Sequence, residues 1–90
     1  MLILTQQAAH MIQKLAHEAQ LPNGAGLRIA GRRDSPGLSM ALAEQPRRED
    51  QVLVHGQVTV FLDPAATRRL RDETLDARST QTGSAFFLRP

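Results

Sequence analysis

The chain has 90 residues, 41% hydrophobic and 22% charged, the balance of a small globular unit and not of a disordered one. It contains no cysteine, which excludes disulfides, thiolate catalysis and cysteine-held metals and leaves the redox compartment unspecified. Net charge is only +2, and the isoelectric point near 10.4 reflects ten Arg against one Lys with no Cys or Tyr to titrate first, so composition does not demand a nucleic-acid partner.

Three Phe and no Trp or Tyr leave Leu, Val, Ile, Ala and Met to fill the interior. A small aliphatic core is weak on its own, so a homodimer is an expected state. No repeat, linker or low-complexity tract divides the chain, and one domain over residues 1–90 is expected. Met1-Leu2-Ile3-Leu4 is too short for a signal peptide or a membrane span. The default expectation is therefore a cytoplasmic protein without a membrane partner.

Leu2–Leu4 is an apolar lead-in, predicted as a short strand. Thr5 is an N-cap candidate, although Ala8 stands where a reciprocal capping box needs Glu or Gln. Ala8, Met11, Ile12, Leu15, Ala16 and Ala19 recur at helical spacing, predicting an amphipathic helix ending near Gln20. Leu21-Pro22-Asn23-Gly24 should stop it. Gly26–Ala30 and Gly37–Ala43 alternate as half-buried strands, with Leu27, Ile29, Leu38, Met40 and Leu42 on one face. Arg32-Arg33-Asp34-Ser35-Pro36-Gly37 joins them as a tight polar loop.

Gln45-Pro46-Arg47-Arg48-Glu49-Asp50 reads as a charged surface loop. Val52–Val54 and Val58–Leu62 flank His55-Gly56-Gln57 as a hairpin. Asp63-Pro64 opens a short helix to about Arg71, with Asp as cap and Pro at the first helical position. Thr74–Arg78 and Ala85–Leu88 are predicted as two further short strands. This order argues for an α+β domain with a mainly antiparallel or mixed sheet.

Five segments together resemble a known family. Gly26-Leu27-Arg28-Ile29, Ser35-Pro36-Gly37-Leu38-Ser39-Met40 and Val58-Thr59-Val60-Phe61-Leu62-Asp63-Pro64 follow the order of the HesB/IscA-like proteins, the A-type iron–sulfur cluster carriers. Leu70 through Leu75-Asp76 and Gly83-Ser84-Ala85-Phe86-Phe87-Leu88 before Pro90 continue it. The resemblance implies a small α+β sheet domain with an N-terminal amphipathic helix and a short second helix. It also implies a departure. Ser35 stands where the family's Gly-Cys-Ser-Gly motif places its first cysteine, with Gly37 as the glycine. The family's Cys-Gly-Cys tail is expected to be absent beyond Pro90. Thiolate is the ligand iron–sulfur clusters normally require, and a serine hydroxyl is a much poorer soft-metal donor.

The remaining candidates each have a plainer reading. His10 and His17 lie two turns apart, about 10 Å at the helical rise, too far for one metal, and opposite the apolar stripe. His55 looks like a turn residue. Ser35, Ser39, Asp34 and His55 form a hydrolytic set only if a base is within reach of a serine, and the Gly-x-Ser-x-Gly elbow is missing. Arg32-Arg33, Arg47-Arg48 and Arg68-Arg69-Arg71 are basic clusters offset by neighbouring acids. No Tyr or Trp accompanies them and the Phe residues sit in core-facing contexts, so nucleic acid is disfavoured. Phe86-Phe87 should point to opposite faces of a strand.

The expected protein is thus a HesB/IscA-like domain without cluster-ligating cysteines. It would be a non-catalytic binding or interaction module with no cofactor and no metal ligand set, partnered by a protein of iron–sulfur or redox metabolism. Its candidate contact surface is Arg32, Arg33, Asp34, Ser35 and Gly37. The alternative is a residual iron or cluster carrier using His, Asp or Glu at a dimer interface.

Overall fold

A computed structural model describes all residues, Met1–Pro90. The elements in order are β1 (Ile3–Leu4), α1 (Gln6–Glu18), β2 (Gly26–Gly31), β3 (Leu38–Ala43), β4 (Gln51–His55), β5 (Val58–Leu62), α2 (Pro64–Arg69), β6 (Thr74–Thr80) and β7 (Gly83–Arg89). They build two mixed sheets, one ordered β1-β6-β7 and the other β3-β2-β5-β4. In each sheet one parallel pair, β1 with β6 or β2 with β5, joins antiparallel neighbours. The α+β expectation with a mixed sheet holds.

α1 starts where Thr5 caps it, its Oγ1 accepting from Ala8 N. The same hydroxyl donates to Asp76 on β6 at 2.7 Å, so the cap also ties the helix to the sheet. The helix ends at Glu18, earlier than periodicity alone suggests. Gln20, at φ 56°, takes the left-handed position, and its N–H donates to His17 O while Leu21 N donates to Ala16 O. These two bonds form a Schellman end. They satisfy the last carbonyls before Pro22-Asn23-Gly24 is reached, and Ala19 falls outside the apolar face.

Ala8, Met11 and Ile12 of α1 pack with Leu27, Ile29, Val58, Val60, Leu62, Leu75 and Ala77 from both sheets, with Ala66 and Leu70 closing the core beside α2. One cluster therefore underlies both sheets. Leu38 and Met40 of β3 reach it only half-buried, as expected of an edge strand.

Phe61 is buried as expected, and Phe86 and Phe87 point to opposite faces of β7 as their adjacency predicts. Phe61 lies outside that cluster, because strand alternation points it away from Val60 and Leu62. Its register neighbours there are Arg28 and Val52. Phe87 faces outward from the other sheet, with the Arg78 guanidinium 4.8 Å above its ring, while Phe86 packs inward. β6 and β7 are longer than predicted. Their hairpin runs past the core into Ser79, Thr80 and Ser84, where polar residues carry no apolar alternation to mark a strand.

Candidate functional site

The β2–β3 loop is held at both ends by backbone. Gly31 pairs with Leu38 and Arg32 N donates to Gly37 O at 3.0 Å. Within it, Ser35 Oγ accepts from Gly37 N at 3.2 Å, a local turn bond that uses one lone pair of the hydroxyl. Arg32, Arg33, Asp34 and Ser35 are all exposed, so the loop offers its side chains to solvent and its backbone to the fold.

α2 fastens that backbone. Arg69 Nη1 donates to Pro36 O at 3.3 Å and to Gly37 O at 3.1 Å. At the other end of the helix, Asp63 Oδ1 caps it by accepting from Ala66 N at 2.7 Å. Both Asp63 oxygens also accept from Gly31 N at 3.2 Å. The helix sits so close to β2 that a Cβ on Gly31 would lie 2.6 Å from Ala65 Cβ. The cap of Asp63 is legible from Asp-Pro in the sequence. Its second grip on Gly31, and the Arg69 clamp, depend on which strand α2 packs against, and no local pattern carries that.

β2 runs parallel to β5 and β4 antiparallel to it, so the loop before β4 arrives at the same end of the sheet. There Arg28, Arg33, Arg47 and Arg48 line one recess with the acids Glu49, Asp50 and Asp63. Asp50 is its buried element. Its Oδ2 accepts from Arg28 Nε at 2.8 Å and from Arg47 N at 2.9 Å, and its Oδ1 accepts from Arg28 Nη2 at 3.0 Å. The bond from Arg28, with help from Arg47 N–H and both positive charges, holds the Asp50 carboxyl below the usual range against the opposing effect of burial. Arg33, Arg47 and Arg48 remain exposed around this pair, so two arginine clusters that are separate in sequence share one rim. Arg68, Arg69 and Arg71 line a different hollow with Asp72 and Glu73.

The hydrolytic set does not assemble. Ser39 Oγ donates to Ala30 O at 3.4 Å on β2, whereas His55 lies on β4, the opposite edge of the same sheet. His10 and His17, two turns apart on α1, and His55 at the end of β4 are all exposed, and no three His, Asp or Glu side chains converge as a metal-binding group. A lone exposed serine hydroxyl, accepting a turn bond from Gly37 N and with no thiol anywhere in the chain, is not a donor set that fits an iron–sulfur cluster.

No protein-family model and no curated protein matches the chain. Solved structures do. IscA with a [2Fe-2S] cluster superposes at TM-score 0.81 and 24% identity, over 99% of this chain and 84% of that one. Escherichia coli SufA, involved in biosynthesis of iron–sulfur clusters, gives 0.76 and 22% over 98% and 83%. An Aquifex aeolicus protein solved by NMR gives 0.72 and 21% over 97% and 88%. The chain has the IscA fold. At these identities it is the fold that is common, and the HesB/IscA-like resemblance of the five sequence segments is borne out as a resemblance of architecture. No helix is long and apolar enough to cross a membrane.

Proposed function

We propose that this IscA-fold domain is a non-catalytic interaction module, associated with iron–sulfur or redox metabolism, that does not itself ligate a cluster. The observation that carries this reading is the β2–β3 loop. Ser35 stands at the position that the resemblance gives to the family's first cysteine, and its hydroxyl, a poor soft-metal donor, accepts a turn bond from Gly37 N. The chain offers no thiol at any other position. The loop is kept in shape by Arg69 and Asp63, through bonds to Pro36 O, Gly37 O and Gly31 N, so its conformation needs no metal.

What the loop presents instead is charge. Arg32, Arg33, Asp34, Ser35 and Gly37, joined by Arg47 and Arg48 across the recess, form the contact surface in this reading. A basic rim of exposed guanidinium groups suits an acidic protein surface, with attraction that weakens as salt rises. No aromatic side chain lines the recess for base stacking, which favours protein over nucleic acid.

The test is anaerobic incubation of the purified protein with Fe(II) and sulfide, followed by absorbance spectroscopy and metal analysis. The expected result is background iron and no visible chromophore. Stoichiometric iron with a chromophore would establish the residual carrier and overturn the proposal.

A further inference from the structure

We propose that β4 is a self-pairing edge, through which two copies of this chain join antiparallel about Leu53 into one continuous eight-stranded sheet. The inference stands independently of the reading of the β2–β3 loop.

β4 closes one side of the β3-β2-β5-β4 sheet, and its outer edge has no strand beside it. Natural edges are usually guarded by charged residues, proline or a bulge. Gln51-Val52-Leu53-Val54-His55 has no Lys, Arg, Asp, Glu or Pro, and its register against β5 runs unbroken from Gln51↔Leu62 to His55↔Val58. Val52 and Val54 stay 48% and 69% exposed on this strand. Beside them Met1, Leu2, Ile3, Leu4, Leu53 and Val54, together with His55, line a mainly apolar groove. β3, the other edge of the sheet, is also uncharged, but the side chains it exposes are only Ser39 and Ala41. Of the two edges of this sheet, guarding thus fails at the one with exposed β-branched side chains, the residue type that pairs best in sheets.

The strand's sequence selects a second copy as the occupant. It is nearly palindromic about Leu53, so antiparallel pairing sets Val52 opposite the partner's Val54, Leu53 opposite the partner's Leu53, and Gln51 opposite the partner's His55. The backbone agrees with this register. The Gly56-Gln57 turn has Gly56 at φ 63° and is closed by the His55–Val58 pair. In a two-residue hairpin that closing pair is hydrogen-bonded, so alternation gives Leu53 and Gln51 to β5 and leaves Val52 and Val54 facing the open edge. Pairing about Leu53 therefore joins outward-bonding residue to outward-bonding residue, with Leu53 across from its own copy at a non-bonded position. Charge is compatible as well. Arg47-Arg48-Glu49-Asp50 precedes the strand at one end only, so the two charged loops lie at opposite ends of the seam and do not meet.

The experiment is sedimentation analysis of the full chain at high micromolar concentration, with two single-lysine variants. Wild type should be a dimer, Val54→Lys a folded monomer, and Ala41→Lys on β3 a dimer still. Circular dichroism on each variant reports the fold, and both substituted side chains are exposed, which keeps a folding failure from mimicking dissociation. The register is tested by Leu53→Cys. At the non-bonded pair the two Cα atoms would lie about 4.5 Å apart, within disulfide range, so mild oxidation should give a covalent dimer. Val52→Cys and Val54→Cys, each opposite a valine, should cross-link far less. A monomeric wild type, a dimer that survives Val54→Lys, or cross-linking indifferent to position would each overturn the proposal.

Discussion

Replacing Asp50 by Asn should destabilise the domain by about 2–4 kcal/mol, and the reason lies in how its carboxylate is surrounded. The Asp50 side chain is 1% exposed and that of Arg28 15%, so the pair is largely removed from water. Three N–H donors converge on the two oxygens, two from Arg28 and one from Arg47. Asn keeps the shape but removes the charge, and turns an amide donor toward the guanidinium. Breaking one partner of a buried pair costs about 3–5 kcal/mol, and this recess still borders solvent on the Arg28 side, which sets the estimate below the upper end. For a chain of this size the change corresponds to a fall in Tm of at least about 10 °C. Acid titration separates the charge from the shape. The Asp50 carboxyl is lowered in the folded state from its ordinary 3.8, so its contribution is complete above that value. It falls as the unfolded chain takes up the proton first, and is gone below the folded pKa. The Asn variant should therefore lose stability less steeply with acid in that window. Some slope remains from Asp76, whose pKa is also lowered, chiefly by the hydroxyl of Thr5. Urea unfolding at neutral pH and through the acid range measures both effects. A variant within about 0.5 kcal/mol of wild type, with an unchanged acid limb, would refute the assignment of a buried, charge-dependent anchor.

Gly26→Ala should cost about 1–3 kcal/mol or more, because the new Cβ would sit 2.1 Å from Thr59 O, a backbone atom that moves only with its strand. Urea denaturation reads it. Arg69→Ala should leave global stability within about 1 kcal/mol, since its bonds to Pro36 O and Gly37 O are exposed. It should speed hydrogen exchange at the Arg32 amide, which is bonded to Gly37 O; unchanged exchange would show the clamp to be idle. Ser35→Cys alone should bind no stable cluster under anaerobic reconstitution, because one thiol in a chain without others is an incomplete ligand set. A chromophore in that variant would show that other side chains complete the site.

The elements were legible in the sequence wherever a period or a cap was written locally. Thr5, Asp63-Pro64 and the alternation through Leu27, Ile29, Leu38, Met40 and Leu42 mark real helix starts and strands. Where boundaries moved, a longer-range or non-periodic cause prevailed. α1 ends at a Schellman turn built on Gln20, a residue type that does not advertise a left-handed backbone. β6 and β7 extend on polar residues. The loop was legible as a loop, but its holding groups were not. Asp63 to Gly31, Arg69 to Gly37 and Asp50 to Arg28 span 22 to 32 positions, and pairing at that distance follows from sheet order, which periodicity does not encode.

The two proposals constrain one another geometrically. The β2–β3 loop, the Arg47–Asp50 loop and the start of α2 all lie at the end of the sheet where β4 begins. Pairing about Leu53 is antiparallel, so it sends the partner's recess to the opposite end of the seam. The two recesses cannot then pool side chains into one shared ligand set, and His55 meets Gln51 of the partner and not a second imidazole. A residual carrier built from His, Asp and Glu at a dimer interface would need the opposite arrangement, with like loops face to face. The self-pairing edge instead yields a rigid bar with a basic contact surface at each pole. Under the two proposals such a body would engage two acidic partners, or two sites on one, with the gain coming from avidity. If Val54→Lys weakens binding to a tethered acidic partner far more than to the same partner free in solution, the contact surface and the dimer seam belong to one device. Equal weakening in both formats would separate them.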